Sequence, residues 1–172
     1  MMRDQQLVDL SLRVGDVLKQ AGIKMAAAES CTGGWIAEVV TQTAGSSAWF
    51  DCGWVTYSNT AKMKLLGVSA STLREHGAVS EATAAEMVIG VLVRSDAQVA
   101  LSVTGIAGPD GGTADKPVGT VCFGWCRKGG KAGDDKAGAK AHTTTMHFSG
   151  DRTEVRRQSV IFALESLLQK LL

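Results

Sequence analysis

A single layered α/β domain spanning residues 1–172, with a mixed sheet flanked by helices, is the fold class this sequence predicts, and three observations predict it. Short apolar runs alternate along the chain with stretches whose apolar residues recur at helical spacing. Two loops of small and glycine residues directly follow such runs, as loops do at the carboxyl ends of strands in α/β sheets. Two late apolar segments, separated by a glycine- and lysine-rich stretch, read as a β-hairpin that adds antiparallel edge strands. With 172 residues, 45% of them hydrophobic, the chain buries roughly 70% of the surface its unfolded form exposes, without a disulfide framework or structural metal.

The elements follow in order. Leu7, Leu10, Val14, Val17 and Ala21 recur at helical spacing and predict an amphipathic helix closed by Gly22. Residues 23–28 are too short for a second helix and read as a buried strand. The loop Glu29-Ser30-Cys31-Thr32-Gly33-Gly34 follows, then a helix over 35–43 and a turn at Gly45-Ser46-Ser47. Residues 50–57 are aromatic and β-branched enough for a second strand. Ser58 suits the N-cap of a helix through Leu66 that Gly67 stops, and Ser80 caps another to about Arg94. A third strand over 99–103 leads into Gly105-Ile106-Ala107-Gly108-Pro109-Asp110-Gly111-Gly112. Residues 118–126 and 143–149 form the hairpin, and 127–141, mixing lysines, aspartates and glycines, reads as a mobile tip. Asp151 caps a last helix whose Val160, Leu164, Leu167, Leu168 and Leu171 form one apolar stripe. No internal repeat is evident.

Composition excludes several classes of function. The 18 Lys+Arg balance 17 Asp+Glu, for a formal net charge of +1, which lacks the electrostatic footprint of a non-specific nucleic-acid binder or a polybasic membrane-surface protein. The longest apolar run, Val88-Ile89-Gly90-Val91-Leu92-Val93, is far short of the ~20 residues of a membrane helix. Residues 1–6 lack the apolar core of a secretory signal, so a reducing cytoplasm with free thiols is expected. The four cysteines make no C-x-x-C pair and no Cys/His set with zinc spacing, so no metal site is expected.

Each glycine-rich loop has two readings. Residues 28–34 put small polar side chains where helix amides are unpaired, either as a simple cap or as a site for an anion or an acyl-transfer oxyanion. Residues 105–112 hold more glycine than a turn needs and suit an anion. They match neither the G-x-x-x-x-G-K-[ST] nor the G-x-G-x-x-G pattern.

Read together, Ala28-Glu29-Ser30-Cys31-Thr32-Gly33-Gly34, Ala44-Gly45-Ser46-Ser47-Ala48-Trp49-Phe50, Val55-Thr56-Tyr57-Ser58-Asn59, His76-Gly77-Ala78-Val79-Ser80, the 105–112 loop, Lys116-Pro117-Val118-Gly119-Thr120-Val121 and Phe148-Ser149-Gly150-Asp151-Arg152 resemble the CinA C-terminal-domain family over nearly the whole chain. Stand-alone members of that family are nicotinamide mononucleotide deamidases. Larger members carry an additional N-terminal domain resembling molybdopterin-binding proteins, which these residues do not include, so its activities are not transferred.

The resemblance implies hydrolysis of the carboxamide of nicotinamide mononucleotide to nicotinic acid mononucleotide and ammonia, without metal or organic cofactor, by a homodimer. By motif the nucleophile falls on Ser30 and the base on Lys62, with Ser47 and Tyr57 orienting the lysine or the amide. A serine hydroxyl needs a base to take its proton, and a lysine serves only when neutral, so its pKa of about 10.4 must fall toward ~7–8. Lys62 and Lys64 point to nearly opposite helix faces, so one of them can face the site, and both also read as solvated surface lysines. Amides near Thr32, Gly33 and Gly34 are the expected oxyanion hole. Gly105, Ile106, Ala107, Gly108 and Arg152 are the expected partners of the substrate phosphate, Arg152 serving otherwise as a surface ion-pair residue.

Cys31 is a second nucleophile to weigh, since a thiol at a helix N-terminus can have a lowered pKa. No histidine can be placed beside it, so it reads as a wall of the pocket. A non-catalytic nucleotide-binding or regulatory domain, and an amidase acting on another small amide, are the competing functions. Retention of Ser30, Ser47, Tyr57 and Lys62 favours the enzyme.

Overall fold

The computed structural model describes residues 4–129 and 140–170. Most of the 127–141 segment expected to form a mobile tip lies outside the described residues. The elements run α1 (Gln5–Ala21), β1 (Met25–Glu29), α2 (Trp35–Thr41), a 3-10 turn (Ser46–Ala48) and β2 (Phe50–Val55). A helical turn α3 (Asn59–Ala61) then widens into a π turn (Lys62–Leu66), followed by α4 (Ala70–His76), α5 (Glu81–Val93), β3 (Val99–Gly105), β4 (Thr120–Arg127), β5 (His142–His147) and α6 (Arg152–Lys170).

The five strands form one sheet in the order β2-β1-β3-β4-β5. β1 pairs parallel with both β2 and β3, whereas β4 pairs antiparallel with β3 and β5. The mixed sheet flanked by helices is therefore the architecture, with the late hairpin supplying its antiparallel side. Central β1 is buried throughout and β3 nearly so, because helices cover both faces, and such strands read as unbroken apolar runs.

Alternation along the strands divides the core. Met25, Ala27, Val99, Leu101, Phe123 and Trp125 face α1, α2 and α6. Ala26, Ala28, Ala100 and Cys126 face the other way, onto Leu66 and the Met87, Val88 and Val91 stripe of α5. Trp125 donates its indole N–H to the Ala163 carbonyl at 3.0 Å, so α6 is fixed to the sheet by a hydrogen bond as well as by packing.

Two elements depart from the expectation. The buried face of α1 is Leu7, Leu10, Ser11, Val14, Gly15 and Leu18, while Val17 is only half-buried and Ala21 exposed. Small residues point inward there because the Trp49 ring fills the space: a Cβ on Gly15 would lie 2.8 Å from it. α4 has no counterpart in the sequence reading, because it buries no residue fully and so has no apolar stripe to betray it. Its start is set by Ser69, whose hydroxyl accepts from the Ser71 amide.

The chain leaves β1 toward β2 on one side and returns to β3 on the other. A strand order that reverses about β1 makes the carboxyl ends of β1 and β3 a topological switch point, the place where α/β sheets bind ligands. No helix among the described residues is long and apolar enough to cross a membrane.

Candidate active site

Ser30 is the first residue beyond β1. Its amide donates to the Val103 carbonyl at 3.0 Å and the Thr56 amide donates to the Glu29 carbonyl at 2.8 Å. Both sides of the β1 ladder thus continue to the point where the chain turns, and Ser30 stands on a rigid strand end.

Lys62 reaches the same point from the other direction. The Ser58 hydroxyl caps α3 by accepting from the Ala61 amide, and the chain then widens so that the Gly67 amide donates to Lys62 and Met63 carbonyls. This π turn places Lys62 inward at 1% exposure and leaves Lys64 exposed. The Lys62 Nζ lies 3.0 Å from Ser30 Oγ and donates to the Thr56 carbonyl at 2.8 Å. Burial pulls the Lys62 pKa below its ordinary 10.5, the facing Cys31 thiol opposing only weakly. A neutral amine that donates to Thr56 keeps its lone pair for the Ser30 proton.

Two groups at this corner go unread in the sequence. Glu29, 1% exposed, turns its carboxylate onto the start of α2, accepting from the amides of Gly34 at 3.0 Å, Ile36 at 3.1 Å and Ala37 at 2.9 Å. The Gly33 amide donates to the Ser30 carbonyl. Two of the amides expected in an oxyanion hole, those of Gly33 and Gly34, are thereby engaged, whereas those of Cys31 and Thr32 have no carbonyl partner among the described residues. The second group is Arg156 on α6. Its Nη2 donates to the Thr32 carbonyl at 2.8 Å, and its guanidinium lies 5.3 Å over the Trp35 ring. That contact joins residues 124 apart in sequence, which no local pattern reports.

Cys31 is 5% exposed, and burial pushes its thiol up to about 12. It is a wall of the site carrying a protonated thiol at neutral pH.

Tyr57, the residue after Thr56, meets Arg152 and Gly108. Arg152 donates through Nη1 to the Gly108 carbonyl at 2.8 Å and through Nη2 to the Tyr57 hydroxyl at 2.9 Å. Tyr57 is 62% exposed. In the glycine-rich loop, the Ile106 amide donates to the Thr120 carbonyl and the Gly119 amide to the Ile106 carbonyl. A Cβ on Gly105 would lie 2.7 Å from Val121. Gly105 and Ile106 therefore hold β4 against the loop, and Ala107 and Gly108 are buried beyond them.

Ser47 does not join this cluster within one chain. It is exposed in the 3-10 turn before β2, whereas Tyr57 follows the end of that strand. A strand of 6 residues separates them by on the order of 20 Å, and no hydrogen bond joins Ser47 to Lys62 or Tyr57 among the described residues.

Among the described residues no group of three or more His, Cys, Asp or Glu side chains could hold a metal ion. A family model described as the CinA C-terminal domain matches residues 8–171. An Enterobacter agglomerans protein named nicotinamide-nucleotide amidohydrolase PncC is 52% identical over 169 residues, covering 98% of both chains. A protein of the same name from Escherichia coli K12 is 50% identical over 171 residues, covering 99% of this chain and 98% of its own. Among solved structures, the competence/damage inducible protein CihA of Agrobacterium tumefaciens superimposes with a TM-score of 0.88 at 41% identity over 98% of each chain.

Proposed function

This chain belongs to the CinA C-terminal domain family, and from that premise we propose that it is a one-domain amidohydrolase converting nicotinamide mononucleotide to nicotinic acid mononucleotide and ammonia. The substrate rests on the names of the amidohydrolases it resembles. The observation that carries the chemistry is the contact of buried Lys62 with Ser30 Oγ at 3.0 Å.

In this mechanism neutral Lys62 takes the Ser30 proton as Oγ attacks the carboxamide carbon. The tetrahedral oxyanion points at the Cys31 and Thr32 amides, donors whose interaction strengthens as charge develops. Collapse breaks the C–N bond, and the Lys62 ammonium protonates the leaving nitrogen to release ammonia. Lys62 then takes a proton from water as the water attacks the Ser30 ester, and returns it to Ser30 Oγ as the ester C–O bond breaks and the acid product leaves. Arg152, held by Gly108 and Tyr57, offers its remaining N–H donors to the 5′-phosphate. The family supports reading the protein as a homodimer working in the cytoplasm, which light scattering of the purified chain checks for the dimer.

The deciding experiment measures ammonia release from nicotinamide mononucleotide by wild type, Ser30→Ala and Cys31→Ala with a metal chelator present. Release by wild type and Cys31→Ala but not by folded Ser30→Ala is the expected result. No release by well-folded wild type moves the reading to another small amide or to a nucleotide-binding domain without turnover.

A further inference from the structure

The loop after Ser30 is built from residues with little conformational preference of their own. Gly33 and Gly34 sit at φ 63° and 95°, a region glycine enters and leaves freely. Yet the Cys31 and Thr32 amides, which have no carbonyl partner among the described residues, are useful as oxyanion donors only if their direction is constant.

Peptide planes on either side of those donors are pinned. On the near side, the Ser30 carbonyl accepts from the Gly33 amide at 3.0 Å, which orients the plane carrying the Cys31 N–H. On the far side, the Thr32 carbonyl accepts from the Trp35 amide at 3.2 Å and from Arg156 Nη2 at 2.8 Å. The Trp35 contact is the longer of the two and comes from the start of α2, three residues on in sequence. The Arg156 contact is short, charge-assisted and anchored on a different element, α6.

Arg156 is itself held. Its guanidinium stacks over Trp35, the first residue of α2, and its Nη2 lies where a Cβ on Gly33 would be 3.4 Å away. Among the described residues, the one hydrogen bond of its side chain goes to the loop after Ser30.

We propose that Arg156 is a positioning residue for the amidohydrolase reaction, clamping the Thr32 carbonyl so that the Cys31 and Thr32 amides converge on the oxyanion formed at Ser30. It touches neither substrate nor reacting atoms. The proposal rests on the serine-nucleophile reading above, and its test uses a second readout that does not depend on the natural substrate.

The experiment compares wild type, Arg156→Ala, Arg156→Lys and Arg156→Gln. The first readout is kcat and KM for ammonia release from nicotinamide mononucleotide. The second is the rate at which an alkyl fluorophosphonate labels Ser30, located by mass spectrometry. There the Ser30 Oγ–P bond forms, the P–F bond breaks, fluoride leaves and Lys62 takes the proton. The phosphoryl oxygen occupies the same donors as the oxyanion. Loss of the clamp is expected to lower kcat and labelling together by about 10²-fold, the cost typical of a misplacement near 1 Å, with KM within about twofold. Arg156→Lys is expected to recover part of both rates, and guanidinium-type cations added to Arg156→Ala to recover more.

Unchanged kcat and labelling in folded Arg156→Ala overturn the proposal. So does a raised KM with intact kcat, which would make Arg156 a substrate contact. A uniform loss that neither Arg156→Lys nor an added cation relieves, tracking a lowered melting temperature, assigns it a structural role and also overturns it. Should Arg156→Ala fail to fold, the Lys and Gln variants carry the comparison. Wild type that labels at Ser30 but leaves nicotinamide mononucleotide intact removes the substrate reading alone, and the labelling rates then decide on Arg156. Wild type inert in both assays removes the nucleophile reading and this proposal with it.

Discussion

The Lys62 amine and the Thr56 carbonyl lie 2.8 Å apart, and Thr56 is itself bonded through its amide to the Glu29 carbonyl. Ser30, the residue after Glu29, and Lys62 are thereby referenced to one β1–β2 ladder. Ser30 and Lys62 keep their 3.0 Å separation because both are measured from the same rigid edge, although they arrive from a strand end and a π turn.

Lys62 sets an expected pH dependence with a definite sign. Its pKa is lowered by burial from an ordinary 10.5, and the proposed mechanism uses the neutral form as the base, so kcat is expected to rise with pH through the lowered value. Between that value and 10.5 the folded chain holds Lys62 neutral while the unfolded chain holds it protonated. The unfolded state then binds more protons, and stability rises with pH across the same window. Lys62→Met is expected to lower kcat by about 10²–10⁴-fold and to remove that slope. Chemical denaturation at several pH values, beside a pH–rate profile, checks both. A slope unchanged in Lys62→Met would assign it to another group.

How much of this was legible in the sequence depends on where each residue's partners lie. β1 and β3 were readable because burial on both faces leaves them as apolar runs. Helical geometry allows at most one of Lys62 and Lys64 to face inward and the family motif points to Lys62, whereas the Ser58 cap and the π turn that bury it are not legible in the sequence. Glu29 was hidden because a glutamate before a Gly-Gly turn reads as an ordinary exposed charge, whereas it is buried by the amides it accepts from. Arg156 acts across 124 residues, and the family motif that points to Ser47 says nothing of its standing before β2 while Tyr57 follows that strand.

Glu29→Gln is expected to destabilise the fold and slow the reaction at once. The carboxylate accepts from three amides, and a Gln side chain presents one oxygen and an NH2 group that faces donors. Hydrogen bonds to a charged group contribute about 1.5–3 kcal/mol each, and a buried N–H left unpaired adds its desolvation cost. A net loss of about 2–3 kcal/mol lowers Tm by roughly 5–10 °C for a domain of this size. Thermal unfolding followed by circular dichroism reads the first effect and ammonia release the second. An unchanged Tm would show that the three bonds contribute little.

Gly90→Ala tests whether the base depends on packing from behind. Gly90 lies on α5, and a Cβ there would fall 2.1 Å from the Leu66 carbonyl oxygen, at the end of the π turn that begins at Lys62. Backbone rather than a flexible side chain must give way. The expected cost is about 1–3 kcal/mol, with kcat lowered more than KM is raised. Urea titration and steady-state kinetics check this, and full activity in a folded variant would separate the Lys62 position from α5.

Arg152→Ala separates binding from chemistry. Arg152 bridges Gly108 and Tyr57, while no hydrogen bond or ion pair links it to Ser30 or Lys62 among the described residues. Its loss therefore removes contacts that ground state and transition state share, which raises KM and leaves kcat nearly unchanged. The Ser30–Lys62 pair does not use Arg152, so fluorophosphonate labelling of Ser30 is expected to continue at close to the wild-type rate. Nicotinamide riboside, which lacks the phosphate, supplies the control: wild type and Arg152→Ala should process it equally. If Arg152→Ala instead lost kcat on both compounds, the arginine would belong with the reacting groups, and the phosphate would have to be held elsewhere beyond the carboxyl ends of β1 and β3.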